Sequence, residues 1–263
     1  MFLIIASHIV VGSEVCDTFV YSNSMKIINS FYVPLFFILS GIFEKNGVEL
    51  KQLSRRVLKL IKYSIYFYLF GVLSYWIIKK ELHLIHFVKT IPVIWFIFTL
   101  IWICISFNII KFFKKRSVQI LAITVACLCG LYLSAKGRSF LYLGQALTCL
   151  PFYSFGFYMK NYLKETEFRI THLTIFFILW FIPYFLFYQE QNISLNHITQ
   201  NYLAFYMEAI FGSLFVIESC KLINWNIISY YGRNTIIPLL VQFAIIYCIY
   251  YKINNLTLYL VTL

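Results

Sequence analysis

Few residues in this chain have the chemistry for catalysis, and most of those sit in apolar surroundings. His8 lies inside the run MFLIIASHIV. Ionisable groups are rare in hydrocarbon because burying the charged form costs several kcal/mol. A neutral imidazole near pH 7 can take a proton from an alcohol while that alcohol attacks a carbonyl. His8 is therefore a candidate general base. The competing reading is a neutral core imidazole hydrogen-bonded to a neighbouring helix.

A second group is cationic. The segment GVELKQLSRRVLKLIKY places Lys51, Arg55 and Lys59 four residues apart, on one helical face, with Arg56 beside them. Leu50, Leu53, Val57 and Ile61 recur at helical spacing, as on a helix entering a membrane from its surface. Such a stripe anchors a helix among lipid phosphates, or docks a polyanion such as coenzyme A through charge-assisted hydrogen bonds. A third feature is Glu208, in the middle of YLAFYMEAIFGSLF. A carboxylate there must be protonated, paired or facing water, so it reads as a site or as a polar link between helices.

These groups need elements to hold them, and composition says which. The chain has 263 residues, 61% hydrophobic and only 12% charged, with a mean hydropathy of +0.79. A soluble domain is nearer half apolar and about a quarter charged. The fold class expected is all-α, a polytopic transmembrane helical bundle, since helices satisfy their own backbone groups in lipid. Apolar runs near 29–43, 57–78, 92–110, 118–134, 140–159, 173–188, 201–220 and 235–251 give about eight full helices. Two partial helices, at 1–12 and 256–263, are too short to span, and both chain ends read as cut within a helix. No repeat or linker interrupts the chain, so 1–263 is expected to be one integral domain. The first run has no basic leader and no small-residue cleavage site, which speaks against a cleavable signal peptide.

The net charge of +12 belongs with membrane loops and headgroups rather than with nucleic acid, because no soluble basic domain is present to carry it. Cations in loops 44–59, 111–117, 160–171 and 221–234 outnumber those in the alternate loops two to one. The first set is expected to be cytoplasmic and the N-terminus inside. Most of the seven Cys lie in apolar runs and act as small hydrophobes. No CxxC or Cys/His cluster suggests zinc or a disulfide framework. His83 and His86 stand at i, i+3 with no third ligand, so no metal is expected.

Taken in order along the chain, several short blocks resemble the acyltransferase-3 family of ten-helix membrane O-acyltransferases. A histidine lies in the first helix, at His8. A second helix reads PLFFILSG, from Pro34 to Gly41. A basic motif similar to R-x-x-R follows at Arg56-Val57-Leu58-Lys59. Trp95 and Phe96 open a later helix, and Gly232-Arg233-Asn234-Thr235 precedes another. The resemblance spans most of the chain but is concentrated in these blocks. Members usually carry a basic residue about eleven positions, or ~16 Å of helix, before the histidine. Only seven residues precede His8 here. Lys59 replaces the motif's second arginine, which keeps charge but loses the planar fork. Lys62 stands where a proline is common, and Gln242 where a histidine often is.

The resemblance implies a membrane-bound O-acyltransferase, with no permanently bound cofactor and with acetyl-CoA or another acyl-CoA as donor substrate. Its acceptor would be a hydroxyl of a cell-surface or lipid-linked carbohydrate, and its place the bacterial inner membrane. It implies His8 as the essential histidine and Arg56 and Lys59 as the donor-side pair, with Lys51 and Arg55 completing the stripe. Ser40 would line the cavity or stabilise an oxyanion. Apart from the resemblance, Glu208 and Asn234 are candidates for a polar site within the membrane. Two alternatives remain at this stage: a polysaccharide exporter using the same polar interior as a passage, and an inactive truncated remnant.

Overall fold

The computed structural model describes residues 26–47, 50–79, 94–137, 140–187, 192–198 and 201–222. Among them are seven α-helices and no strand. These are α1 (Tyr32–Ile42), α2 (Leu50–Lys79), α3 (Ile94–Lys111), α4 (Arg116–Ala135), α5 (Leu143–Glu165), α6 (Ile170–Phe187) and α7 (Tyr202–Cys220), with a 3-10 turn at Ile193–Leu195. The chain is an all-α bundle, as its apolar runs indicate. His8, Asn234 and the expected helices at 1–12, 235–251 and 256–263 lie outside the described residues.

The chain divides into two compact units. One gathers Met1–Ile28, Lys62–Ile94 and Asn224–Leu263. Its described part is mainly the second half of α2, where Phe67 is buried and Leu69, Leu73 and Trp76 are exposed. The other gathers Asn29–Ile61 and Trp95–Ile223, and so holds α1, the start of α2, nearly all of α3, and α4 to α7.

Among the described residues, four helices are long and apolar enough to cross a membrane: Ile94–Lys111, Arg116–Ala135, Ile170–Phe187 and Tyr202–Cys220. At 23 residues, α5 is long enough but not among them, and the reason is its place in the fold. It lies at the centre of the second unit, where Ala146, Cys149, Leu150, Phe152 and Tyr153 are fully or almost fully buried. A helix shielded by other helices can carry Gln145, Thr148 and Ser154 inward, and these lower its hydropathy. By contrast, α4 and α6 leave Leu121, Val125, Leu128, Phe181 and Phe185 exposed, the outward apolar faces a bundle presents to lipid.

Helix α1 crosses α5 at a glycine pair. A Cβ built on Gly41 would lie 2.0 Å from the Tyr153 carbonyl oxygen, and one on Gly156 would lie 2.0 Å from that of Ile38. Only hydrogen fits at either position, so the two backbones touch, as small residues allow in membrane bundles. Here the glycine ending PLFFILSG, Gly41, has a structural task. Phe96, at the start of α3, packs on Phe37 of α1 with ring centroids 5.0 Å apart. Two of the sequence blocks thus meet in space.

The second unit has two distinct ends. At one, Gln145 Nε2 donates to the Ser194 carbonyl (2.9 Å), and the Ser134 hydroxyl donates to that of Asn196. The turn at 192–198 is therefore stitched to α4 and α5. At the other end, Lys111 Nζ donates to the carbonyls of Lys45 (3.2 Å) and Gly47 (3.3 Å). Arg116 stacks 4.8 Å above the Tyr158 ring, and Lys221 Nζ donates to the Thr166 carbonyl (2.9 Å). The residues following α1, α3, α5 and α7 so gather at one end. Helix α5 runs between the two, with about 22 Å separating Gln145 from Lys160 at 1.5 Å per residue.

Candidate functional site

The cationic end holds a cavity of about 420 Å³, lined by Phe43, Glu44, Lys45, Gly47, Gln52, Leu53, Arg55, Arg56, Lys59 and Asn108. Local structure explains how these residues converge. Helix α1 stops at Ile42, and the Glu44 N–H bonds back to the Gly41 carbonyl (3.0 Å). The chain then turns through 43–47, and α2 begins at Leu50. On α2, Gln52, Arg55, Arg56 and Lys59 share one face at helical spacing.

Three of the four stripe residues expected from sequence, Arg55, Arg56 and Lys59, line the cavity together; Lys51 does not. The cavity face is centred between Gln52 and Lys59, which leaves Lys51 exposed at its margin. Helix α2 also begins earlier than the apolar run from 57 suggests. Stripe and span form one helix of 30 residues. Ser40 is half-buried on α1 and is not among the lining residues.

Sequence reasoning missed the groups beneath the stripe. Glu44 is 9% exposed and is the hub of a charged cluster. Its Oε1 accepts from Lys111 Nζ at 2.7 Å. Its Oε2 accepts from the Tyr153 hydroxyl at 2.7 Å and from Arg56 Nη1. Arg56 Nη1 also donates to the Tyr153 oxygen at 2.9 Å. Lys160 Nζ donates to the Glu44 carbonyl at 3.1 Å. The Lys111 side chain is only 4% exposed, and that of Arg56 is 30% exposed. Burial pushes the Glu44 carboxyl up. Hydrogen bonds from Lys111 and Tyr153, with the charges of Arg56 and Lys111, outweigh burial and hold it below the usual carboxylate range.

The signal for Glu44 was its position. It is an acid placed directly between an apolar helix and a basic stripe. For Tyr153 and Lys111 no local signal exists, because α5 and α3 bring them in from far along the chain. Aromatic faces complete the setting: Lys111 Nζ lies 5.7 Å from the Phe107 and Phe157 rings, and Lys160 Nζ lies 4.5 Å from Phe157.

Electrostatically, the lining carries four cations, Lys45, Arg55, Arg56 and Lys59, against one carboxylate that is already paired. Such a cavity attracts anions. The arginine fork suits phosphate in particular, because a guanidinium offers parallel N–H donors to two oxygens.

Glu208 is placed differently. It is 1% exposed on α7, and neither carboxyl oxygen has a hydrogen-bond partner among the described residues. Between the two readings open from sequence, a hydrogen-bonded link to a described helix is not what the structure contains. Glu218 is a structural acid. Its Oε1 accepts from the Arg169 N–H (3.0 Å) at the start of α6, and its Oε2 pairs with Lys221 (2.7 Å).

Comparison with known proteins adds one result. No curated protein and no solved structure shows a significant match. The family model described as an acyltransferase domain, that of the acyltransferase-3 family, matches residues 1–263. An anion-attracting cavity at one end of an all-α membrane bundle, with this match over the whole length, places the chain in the acyltransferase-3 family of membrane acyltransferases.

Proposed function

We propose that this chain is an O-acyltransferase that moves an acyl group, acetyl in the simplest case, from acyl-CoA to a hydroxyl of a cell-surface or lipid-linked carbohydrate. The observation that carries this reading is the cavity, where Arg55, Arg56, Lys59 and Lys45 come together around a space of ligand-site size. A diphosphate and a ribose phosphate are what such a lining would grip, and coenzyme A carries both. Acyl-CoA is made inside cells, so the cationic end faces the cytoplasm of a bacterial inner membrane in this reading.

In the reaction, the acceptor oxygen attacks the thioester carbonyl. The new C–O bond forms as the C–S bond breaks. His8 takes the hydroxyl proton and returns it to the departing thiolate, so no net proton is released. Ser40, on the helix leading to Glu44, stabilises the oxyanion. Glu208 and Asn234 supply polar contacts for the acceptor within the membrane, where the Glu208 carboxyl group, without a hydrogen-bond partner among the described residues, would hydrogen-bond a sugar hydroxyl. The resemblance to the family supports the role of His8.

The test is labelled acetyl transfer from acetyl-CoA to glycan in membranes carrying the wild type or His8→Ala. Transfer should vanish in the variant while its membrane insertion stays intact. Unchanged transfer refutes the base assignment, and absence of transfer by the wild type refutes the enzyme reading.

A further inference from the structure

We infer that Glu44 is a positioning residue for the donor: it fixes the Arg56 guanidinium so that the free edge faces the cavity as a phosphate fork. This rests on the proposed acyl-CoA reading and goes beyond it by assigning a role to an acid that touches no substrate.

An arginine side chain has five N–H donors, two of them on Nη1. Nη1 is committed to two acceptors, Glu44 Oε2 and the Tyr153 oxygen. Among the described residues, Nε and Nη2 of Arg56 make no hydrogen bond. The anchor points are buried, with Tyr153 at 0% and Glu44 at 9% exposure, whereas the Arg56 side chain is 30% exposed and lines the cavity. The committed nitrogen therefore faces inward, and the Nε–Nη2 edge faces the open space. That edge is the one that meets two phosphate oxygens in parallel.

Glu44 is itself immobilised. Lys111 holds its other oxygen and also binds the carbonyls of Lys45 and Gly47, while Lys160 holds its main-chain oxygen. The result is a chain of fixed contacts from α3 and α5, through the 44–47 turn, to the guanidinium on α2. A free arginine on a helix surface would lose rotamer entropy on binding phosphate; one already held in place loses less. Of the pair Arg56 and Lys59, only Arg56 has the planar fork, and unlike Arg55 it is held by Glu44 and Tyr153.

The experiment measures coenzyme A affinity by titration calorimetry on the purified full chain. Variants are Arg56→Lys, Arg56→Ala, Glu44→Gln, Tyr153→Phe and the doubles of the last two with Arg56→Lys. Glu44→Gln keeps the side chain's shape but removes its charge. It should weaken coenzyme A roughly tenfold, the scale of coupling between contacting groups, and should add less than about twofold in the Arg56→Lys background. In turnover, KM for acyl-CoA should rise while kcat holds. Equal weakening in both backgrounds, or none in either, overturns the positioning role and leaves the donor reading standing. Unchanged affinity in Arg56→Lys and Arg56→Ala would instead sink the donor reading itself. If Glu44→Gln fails to fold, Tyr153→Phe enters the same cycle. It removes one of the two anchors of Nη1, and loss confined to the Arg56 background is again the supporting result.

Discussion

Glu44 shows how one residue can be critical without being reactive. Its carboxylate lies between Arg56 and the nearly fully buried Lys111. Truncating it to alanine would leave Lys111 buried and uncompensated, a class of change that costs about 3–5 kcal/mol. Replacement by glutamine is therefore the informative change, and pH is an independent lever. The folded-state pKa of Glu44 is depressed below its ordinary value of 4.5. A group with a depressed folded pKa contributes stability that is full above the unfolded value and is lost as pH falls through the folded one. The melting temperature of the purified protein should thus drop on acidification below 4.5, and Glu44→Gln should flatten that drop. Parallel acid profiles for the two proteins would show that the carboxylate's charge contributes nothing. The sequence disclosed only part of this site. Arg55, Arg56 and Lys59 were legible because residues three and four apart share a helix face. Tyr153 lies 109 residues from Glu44, and Lys111 lies 67 from it. Spacing rules act within one helix and are silent about contacts made by folding. Glu208 was legible as an anomaly, but only the structure shows that it lacks a hydrogen-bond partner among the described residues.

At the scale of elements, the register between α1 and α5 determines whether the cluster can form. Glu44 follows α1 by two residues, and Tyr153 belongs to α5, so a shift at the crossing would separate them. The crossing is set by Gly41 and Gly156, each of which would place a Cβ 2.0 Å from a carbonyl oxygen of the other helix. Backbone cannot move aside as a flexible side chain can. Gly41→Ala and Gly156→Ala should each destabilise the protein by about 1–3 kcal/mol, the usual cost of overpacking. Gly47→Ala is the control: nothing lies within 4 Å of its Cβ position, and its effect should stay within about 0.5 kcal/mol. Thermal unfolding in detergent measures all three, and equal melting of Gly41→Ala and Gly47→Ala would contradict the close crossing. Most helices were legible as apolar runs, with ends shifted by a few residues. Helix α2 was not fully so, because its first turns are too basic to register as a span although they belong to the same helix. Nor could hydropathy show that α5 is central. Its inward Gln145 and Thr148 resemble surface residues until the neighbouring helices are known.

At the scale of the whole molecule, the basic residues after α1, α3 and α5 share one end of the second unit, with Lys221 near the Thr166 carbonyl. The turn at 192–198 closes the opposite end. This division explains why loop charge carried topological information. Positive loops that alternate along the chain meet at one face once antiparallel helices pack. Under the proposed acyl-CoA reading it also ties orientation to function, since the cavity lies at the cationic end and coenzyme A thioesters are cytoplasmic. The prediction concerns a cysteine-free version of the chain carrying one new thiol at a time, treated in intact cells with a membrane-impermeant maleimide. Leu195→Cys, at a site 71% exposed in the far turn, should be labelled directly. Lys114→Cys, in the exposed 112–115 segment, should be labelled only after the membrane is opened. The reverse pattern would turn the cavity outward, away from any supply of acyl-CoA. The lining cations would then need another anion, such as a lipid phosphate, and the donor assignment would fail even if every contact around Glu44 were correct.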